Sequence, residues 1–128
     1  MPDQNIRMLI VDDDATMSRY LTAYFARRNF EVNTASSGEE AIRMFRSFDP
    51  SVVLLDISMP GMDGIEATEK LVEMNLGVRV VMLTSYSERE KITEALAAGA
   101  VSYLTTDSPP DAVIRAIRSA AASDAAPN

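Results

Sequence analysis

Acidic side chains directly follow two apolar runs of the sequence. Asp12 and Asp13 come after the run at 8–11, and Asp56 comes after the run at 52–55. If these runs are neighbouring parallel strands, their carboxyl ends meet at one edge of the sheet and the three carboxylates converge. Carboxylates a few ångströms apart repel one another, and a divalent cation relieves that repulsion. Since every ligand would be an oxygen, Mg²⁺ is the natural ion for this site.

An acidic pocket that holds Mg²⁺ suits phosphoryl transfer. An aspartate carboxylate can act as the nucleophile and form an aspartyl phosphate, while the metal neutralises charge on the incoming group. Asp56 is the best candidate for the nucleophile, because it ends a buried strand and the following loop, 58–64, leaves it accessible. Asp12 and Asp13 would hold the metal. Thr84, which ends another apolar run, could donate a hydrogen bond to a phosphoryl oxygen.

Each of these residues also has an ordinary structural interpretation. An acidic strand end is usually a solvated turn, and Asp14 is expected to cap a helix that starts at Ala15. A threonine that ends a strand usually has no special role, and an aromatic residue such as Tyr103 usually belongs to the core. The combined spacing of these residues, at the ends of three alternating strands, favours a functional site.

The elements that must position these residues are visible as five short apolar runs, each followed by a longer amphipathic stretch. The runs are Ile6–Val11, Phe30–Thr34, Val52–Leu55, Val78–Leu83 and Val101–Leu104. Several are almost continuously apolar, which is typical of parallel strands covered on both faces. Five strand–helix pairs predict an α/β fold with a parallel sheet and helices on both faces.

The stretches between the runs have apolar side chains at helical spacing. They predict helices over Ala15–Arg28, Gly38–Phe48 and Gly64–Met74, and two later helices around Ile92 and Val113. Three helix starts carry a capping pattern. These pairs are Ser37 with Glu40, Ser87 with Glu90, and Ser108 with Asp111, the last with Pro109 as the first helical residue.

Composition limits the possible functions. The 128 residues correspond to one domain, and 12 basic against 19 acidic residues give a net charge of −7, which argues against nucleic-acid binding. Without cysteine or histidine, the chain has no disulfides, no Cys/His zinc site and no histidine base. No apolar run is long enough to span a membrane and no signal peptide is visible. We therefore expect a cytoplasmic protein.

Four segments together resemble the receiver domain of two-component response regulators. They are Met8–Asp14, Val53–Gly64, Val81–Thr84 and Gly99–Leu104. The likeness extends from about Ile6 to Ile117, and the segment around Asp56 is its most specific part. The resemblance implies a CheY-like five-stranded parallel sheet of order 2-1-3-4-5 flanked by five helices.

The resemblance also implies roles for individual residues. Asp56 is similar to the phosphoacceptor, and Asp12 and Asp13 are similar to the pair that binds Mg²⁺, with the backbone carbonyl of Ser58 as a further ligand. Thr84 resembles the switch hydroxyl that moves towards the phosphoryl group, and Tyr103 resembles the aromatic residue that moves with it. Positions 58 and 86, here Ser58 and Tyr86, are where the family tunes its rate of dephosphorylation.

One position departs from the family. After the fifth strand the family has a lysine that pairs with the phosphoacceptor, whereas this chain has Thr106. A threonine offers a hydroxyl but no cation. Arg89 and Lys91 are poor substitutes, because both are expected on a solvated helix face. Three explanations stay open for Thr106: a natural receiver that switches weakly, a pseudo-receiver that acts through protein contacts alone, or an engineered substitution.

The sequence therefore predicts a phosphoacceptor switch rather than a turnover enzyme, with at most slow autodephosphorylation. A histidine kinase or phosphotransfer protein would supply the phosphoryl group, and an output protein or attached effector domain would receive the signal. The alternative is a protein-interaction module, and a hydrolase is weaker because no second acid is placed as a general base. We expect the receiver domain over 1–118, a flexible tail or linker stub over 119–128, no membrane contact and a possible dimer.

Overall fold

The computed structural model describes residues 6–57, 59, 61–74, 77–85 and 90–122, in which strands and helices alternate. The strands are β1 (Ile6–Val11), β2 (Phe30–Ala35), β3 (Val52–Asp56), β4 (Arg79–Thr84) and β5 (Ser102–Thr105). The helices are α1 (Ala15–Ala26), α2 (Gly38–Phe48), α3 (Gly64–Met74), α4 (Ile92–Ala98) and α5 (Pro110–Ala122).

The five strands form one parallel sheet in the order β2-β1-β3-β4-β5. This confirms the predicted fold class and strand order. The direction of winding reverses between β1 and β3, so a crevice opens beyond their carboxyl ends. Val11 pairs with Leu55 in the β1–β3 register, which places Asp12 level with Asp56.

The sheet divides the core into two layers, which explains why the strand sequences are almost continuously apolar. Side chains alternate between the faces of a strand, and neither face of the central strands reaches solvent. One layer contains Leu9, Val53 and Met82 with residues of α2 and α3 such as Phe45 and Leu71. The other contains Met8, Leu54 and Val81 with residues of α1 and α5 such as Phe25 and Ile117.

Two of the predicted helix starts are confirmed by their hydrogen bonds. The Asp14 carboxylate accepts from the amides of the second and third residues of α1, at 3.0 and 3.3 Å. The Ser37 hydroxyl accepts from the Glu40 amide at 3.1 Å. The Glu40 carboxylate bonds the amide and hydroxyl of Ser36, at 2.8 and 3.0 Å, instead of closing the capping box on Ser37. Ser87 lies outside the described residues.

The predicted start of α5 is wrong by one residue. The helix begins at Pro110, and the carbonyl of Pro109 accepts the first helical amides, from Ala112 and Val113. The hydroxyl of Ser108 does not cap those amides, because it accepts a hydrogen bond from the Thr105 amide at 3.3 Å. The Thr105 amide therefore uses the Ser108 hydroxyl oxygen that the sequence pattern predicted as the helix cap.

Two helix ends also differ from the sequence pattern. The prediction that α1 runs to Arg28 is wrong by two residues, because Asn29 takes a left-handed conformation (φ 67°) that turns the chain into β2. At the other end of the chain, α5 continues to Ala122 and buries Ala120, so residues 119–122 are helical. The rest of the expected tail, 123–128, lies outside the described residues, and the division of the chain at 118 stays a prediction. None of the helices described is long and apolar enough to cross a bilayer.

Candidate metal centre

The crevice is built by the backbone before any acidic side chain enters it. The amide of Asp12 donates to the carbonyl of Ala35 at 3.1 Å, which holds the end of β1 against β2. The amide of Ile57 donates to the carbonyl of Leu83 at 2.9 Å, which holds the end of β3 against β4. Asp12 and Asp56 are thus fixed at the same height on adjacent strands, as the sequence predicted.

The three predicted carboxylates meet in this crevice. One carboxylate oxygen from each of Asp12, Asp13 and Asp56 lies within 4.8 Å of the others. Their exposure differs: Asp12 is buried with 6% of its surface exposed, Asp56 is half-buried and Asp13 is exposed. The cluster is therefore anchored in the protein at one side and open to solvent at the other, which leaves an entry for an ion or a small substrate.

The pKa of Asp12 is shifted by burial and by the acidic groups around it. Burial raises the pKa of its carboxyl above the ordinary value, and the negative charges of Asp13 and Asp14 raise it further. Two hydrogen bonds act in the opposite direction, one from the Asp14 amide at 2.9 Å and one shared with Asp56, but they do not cancel the effect of burial on the pKa. The ionised cluster is thus electrostatically unfavourable, and a cation bound among its oxygens would relieve the repulsion.

The donor set fits Mg²⁺ on the chemistry of its atoms. All three groups offer hard carboxylate oxygens, and Mg²⁺ prefers a few such ligands together with water. The chain has neither cysteine nor histidine, so no thiolate or imidazole is present to favour a softer ion. Ser58, whose carbonyl was expected as a further ligand, lies outside the described residues.

Thr84 occupies the expected place at the end of β4, directly after Leu83, which pairs with Asp56 in the β3–β4 register. It is fully buried, and its hydroxyl donates to the carbonyl of Ser85 at 3.1 Å. In this state the hydroxyl is therefore bonded to its own loop. A role towards a phosphoryl oxygen would require that bond to break.

Tyr103 and Thr106 are both at the surface. Tyr103 lies on the edge strand β5 and is 42% exposed, so it is not the core aromatic of the ordinary interpretation. Thr106 is exposed, and its amide donates to the carbonyl of Thr84 at 2.9 Å. Of the other residues considered, Lys91 is half-buried and has a partner within the protein, whereas Tyr86 and Arg89 lie outside the described residues.

Two features of the site were not found from the sequence. A Cβ atom at Gly64, the first residue of α3, would lie 2.5 Å from the Asp56 carbonyl and 2.6 Å from Cα of Ile57. Only glycine therefore lets α3 start this close to the backbone of Asp56. The glycine at position 64 is visible in the sequence, but the requirement for glycine there depends on how closely α3 approaches β3.

The second feature is a groove of about 210 Å³ on the β2 side of the cluster. Besides Asp12 and Asp13, its lining includes Ser18, Arg19 and Ser36. It shares Asp12 and Asp13 with the acidic crevice, and Arg19 adds a basic residue to its lining. No sequence motif indicated this groove, because it forms between α1 and the end of β2.

The comparison with protein families agrees with the geometry. The model of the response regulator receiver domain matches residues 8–118. This chain belongs to the response regulator receiver domain family. Receiver domains are signalling switches of two-component systems rather than turnover enzymes, and they generally depend on Mg²⁺. In this receiver, the cluster of Asp12, Asp13 and Asp56 offers oxygen atoms of the kind that bind Mg²⁺.

Curated relatives share about two-fifths of the aligned residues. The regulatory protein AtoC of Escherichia coli is 41% identical over 98 residues, covering 77% of this chain and 21% of AtoC. The chemotaxis protein CheY of Halobacterium salinarum is 40% identical over 100 residues, covering 77% of this receiver and 82% of that protein. The nitrate/nitrite response regulator NarL of Escherichia coli is 40% identical over 93 residues, covering 73% of this receiver and 43% of NarL. This receiver therefore spans about a fifth of AtoC and less than half of NarL but most of CheY.

Solved structures share the whole fold. A CheY-like receiver from Methanospirillum hungatei superposes with a TM-score of 0.87 at 27% identity, covering 92% of this chain and 94% of that one. A LuxR-family response regulator from Aurantimonas gives a TM-score of 0.86 at 29% identity, covering 93% of this chain and 86% of that one. A complex of CheX, CheY, BeF₃ and Mg²⁺ from Borrelia burgdorferi gives 0.84 at 28% identity, with 91% and 89% covered.

Proposed function

We propose that this receiver is a phosphoacceptor switch that takes a phosphoryl group on Asp56, with Mg²⁺ held by Asp12, Asp13 and Asp56. The observation that carries the proposal is the convergence of these three carboxylates within 4.8 Å at the switch point of the sheet. A structural ion pair does not account for the cluster, because its members have like charge and Asp12 is buried.

The residues divide the chemistry among them. A carboxylate oxygen of Asp56, half-buried and open to the crevice, attacks phosphorus; a new O–P bond forms, and the bond to the donor breaks with its electron pair leaving on the donor. Asp12 and Asp13 hold the metal, which neutralises negative charge on the transferred group when it is bound. Gly64 keeps the backbone of Asp56 in place by allowing α3 to start against it.

Switching would run from Asp56 to the surface through Thr84. A phosphoryl group adds acceptor oxygens and negative charge next to the end of β4. The Thr84 hydroxyl would then leave the Ser85 carbonyl and donate to the phosphoryl group, and Tyr103 would move with it. The surface around α4, β5 and α5 would change and carry the signal.

In our proposal, Thr106 weakens the step in which phosphorylation of Asp56 changes the surface around α4, β5 and α5. A lysine would attract phosphoryl oxygens and pull the β5–α5 loop towards Asp56, whereas a threonine carries no charge. The loop keeps a backbone link to the end of β4, from the Thr106 amide to the Thr84 carbonyl. We therefore expect a receiver that is phosphorylated but responds weakly at its output face.

The partners follow from this role. A histidine kinase or phosphotransfer protein would supply the phosphoryl group, and an output protein or attached effector domain would read the changed surface. The domain itself would bind neither nucleic acid nor membrane and would act in the cytoplasm, and α5 would supply the contact surface of a dimer. Loss of the phosphoryl group to water would be slow, with its rate tuned by Ser58 and Tyr86.

The proposal is tested by intact-mass spectrometry after incubation with Mg²⁺ and acetyl phosphate. One added phosphoryl group is expected on the wild-type chain and none on Asp56→Asn. Asp111→Asn is the matched control, because it makes the same chemical change on the exposed surface of α5. Omission of Mg²⁺ should also abolish the adduct.

Thr106→Lys, tested alongside, separates the remaining possibilities. An adduct on Thr106→Lys but not on wild type would mean that the acceptor site is intact and that the missing cation disables it. No adduct on either protein would overturn the proposal and leave a constitutive protein-interaction module. An adduct that persists in Asp56→Asn would place the acceptor elsewhere.

A further inference from the structure

The strand β2 lies at one edge of the sheet, where part of its backbone has no neighbouring strand within the described residues. Its only strand neighbour in that part of the chain is β1. The amide of Asp12 donates to the carbonyl of Ala35 at 3.1 Å, so the odd-numbered residues of β2 bond β1. The even-numbered residues Phe30, Val32 and Thr34 therefore point their amides and carbonyls away from the sheet.

An unpaired strand edge of this kind is a template for another extended chain. Proteins commonly block such edges with prolines, bulges or several charges. The six residues of β2 include no proline and one charged residue, Glu31. One outward amide, that of Thr34, is occupied by the side-chain oxygen of Asn33 at 3.0 Å. The edge is thus only lightly protected against an added strand.

An open groove of about 440 Å³ runs beside this edge on the α1 side. Its lining consists of Ser18, Arg19, Thr22 and Ala23 from α1 and Val32, Asn33 and Thr34 from β2. Side chains alternate between the two faces of a strand. Every second side chain of a strand added to β2 would therefore point towards α1 and enter this groove.

The charges on the two sides of the edge differ. Arg19 is exposed and lines the groove, and it has no hydrogen-bond or ion-pair partner among the described residues. The stretch 15–28 contains three arginines and no acidic residue. Val32 packs into the layer of α1, so its neighbour Glu31 faces the other side of the sheet, where it is exposed. The edge therefore favours a strand that is acidic towards α1 and neutral or basic on its other face.

Thr22 adds a second unmet group to the groove. Its hydroxyl oxygen is buried and has no hydrogen-bond partner among the residues that the structure describes. Buried polar groups are nearly always hydrogen-bonded in proteins. A threonine in a helix has two accessible side-chain rotamers, so a rotation of Thr22 would let its hydroxyl bond a polar group held in the groove.

We propose that the free edge of β2 binds an extended segment of a partner protein as a sixth strand, with an acidic side chain beside Arg19. The outward amides and carbonyls require an extended backbone, and Arg19 and Glu31 set the charges of its two faces. A second copy of this chain fits poorly, because antiparallel pairing of two β2 strands would place both basic α1 helices side by side on one face. The inference does not depend on phosphorylation of Asp56.

The probe is the end-blocked peptide Thr-Val-Lys-Asp-Lys-Val-Thr, which as a strand has its aspartate on one face and both lysines on the other. We expect it to protect the amides of Phe30, Val32 and Thr34 from hydrogen exchange, measured by NMR. N-methylation of alternate amides should abolish protection for one edge of the peptide and leave it for the other, since only one edge faces β2. Replacing the aspartate by lysine should weaken binding about threefold, the effect of an exposed ion pair, although the protein carries a net charge of −7.

Charge reversal at Arg19 tests the acidic contact. In Arg19→Glu the preference should invert, so that the peptide with lysine in place of aspartate binds more tightly. Arg27→Glu is the matched control, because it makes the same change at an exposed residue at the end of α1 and outside the groove. It should keep the preference for aspartate.

Four results would overturn the proposal. They are an absence of protection with every peptide, equal binding of both N-methylated peptides, an unchanged preference for aspartate in Arg19→Glu, and an inversion in Arg27→Glu as large as that in Arg19→Glu. Protection of the same amides in the protein alone, rising with protein concentration, would assign the edge to a second copy and would also overturn it.

Discussion

Asp12 combines two properties that oppose each other, since it is the most buried of the three clustered acids and must be ionised to bind a cation. Burial and the neighbouring charges raise its pKa in the folded state. The folded state therefore keeps the Asp12 proton at a higher pH than the unfolded chain does. The free energy of unfolding of the metal-free protein therefore falls as pH rises from 3.8 through the folded pKa of Asp12. Above that folded pKa, the full cost of ionising the buried carboxyl lowers the stability.

Asp12→Asn removes this penalty. Without Mg²⁺ at neutral pH, we expect the variant to be more stable than wild type by an amount on the order of 1 kcal/mol, a usual size for a single substitution. The difference should shrink as pH falls through the folded pKa of Asp12. Urea denaturation with EDTA, between pH 4 and pH 8, measures both. A variant less stable than wild type at neutral pH would contradict the electrostatic argument.

Gly64 matters because of what an added methyl group would meet. Gly64→Ala should destabilise the protein by about 3 kcal/mol, the upper range for overpacking, because the new Cβ would strike backbone atoms of Asp56 and Ile57. Gly38→Ala is the control, since Gly38 also begins a helix but its new Cβ would meet side-chain atoms instead of backbone, from Met62 at 3.1 Å and Ala67 at 3.2 Å. Chemical denaturation of both variants checks the prediction, and equal losses would contradict it.

The start of α2 shows how an element is held by its first turn. The Glu40 carboxylate accepts two hydrogen bonds from Ser36, which lower the pKa of Glu40 below its ordinary 4.5. Such bonds to an ionised acceptor are stronger than bonds between neutral groups. They connect the end of β2 to α2 at the edge of the groove beside the acidic cluster.

Glu40→Gln should destabilise the protein slightly at neutral pH, by less than about 1 kcal/mol because the group is partly exposed. The contribution of Glu40 is present above pH 4.5 and is lost as pH falls through the lowered folded pKa. Thermal unfolding of wild type and variant should therefore converge at strongly acidic pH. Glu39→Gln is the control, since it lies in the same first turn but is exposed and no bond from Ser36 reaches it. Equal effects of the two variants would assign the loss to the helix dipole alone.

At the scale of the whole molecule, two core layers on one sheet hold the strand ends in register. Phe25 is among the largest fully buried side chains and meets the ring of Phe30 at 4.9 Å in an edge-to-face arrangement. This contact joins α1 to β2 below the acidic crevice. The position of the cluster therefore depends on packing far from the carboxylates themselves.

Phe25→Ala should lower the free energy of unfolding by about 3–5 kcal/mol, the range for truncating a buried aromatic residue. Tyr103→Ala is the control, because its ring is 42% exposed, and it should change stability by less than about 1 kcal/mol. Guanidinium denaturation compares the two variants. A loss for Phe25→Ala no larger than that of Tyr103→Ala would contradict the proposed role of the α1–β2 packing.

Much of the fold and the centre of the site was predictable from local patterns. The five strand–helix pairs follow from apolar runs and helical periodicity, because a strand buried on both faces leaves almost no polar positions. Asp12, Asp13 and Asp56 were found because they stand directly at strand ends, and the strand order that brings them together came from the family resemblance. Helix boundaries were predicted less accurately: Ser108 has the pattern of a cap, but its hydroxyl accepts a hydrogen bond from the Thr105 amide instead.

By itself, the sequence determined the α/β class, the acidic residues at the strand ends and the absence of a lysine at position 106, since these depend only on residue type and spacing. Only the tertiary structure decided what lies between elements distant in the chain. The close approach of Gly64 to Asp56, the bond from Thr84 to Ser85 and the groove between α1 and the end of β2 are examples. The physical reason is that contacts and voids arise from the packing of several elements at once, and no local pattern of residues encodes the distance between them.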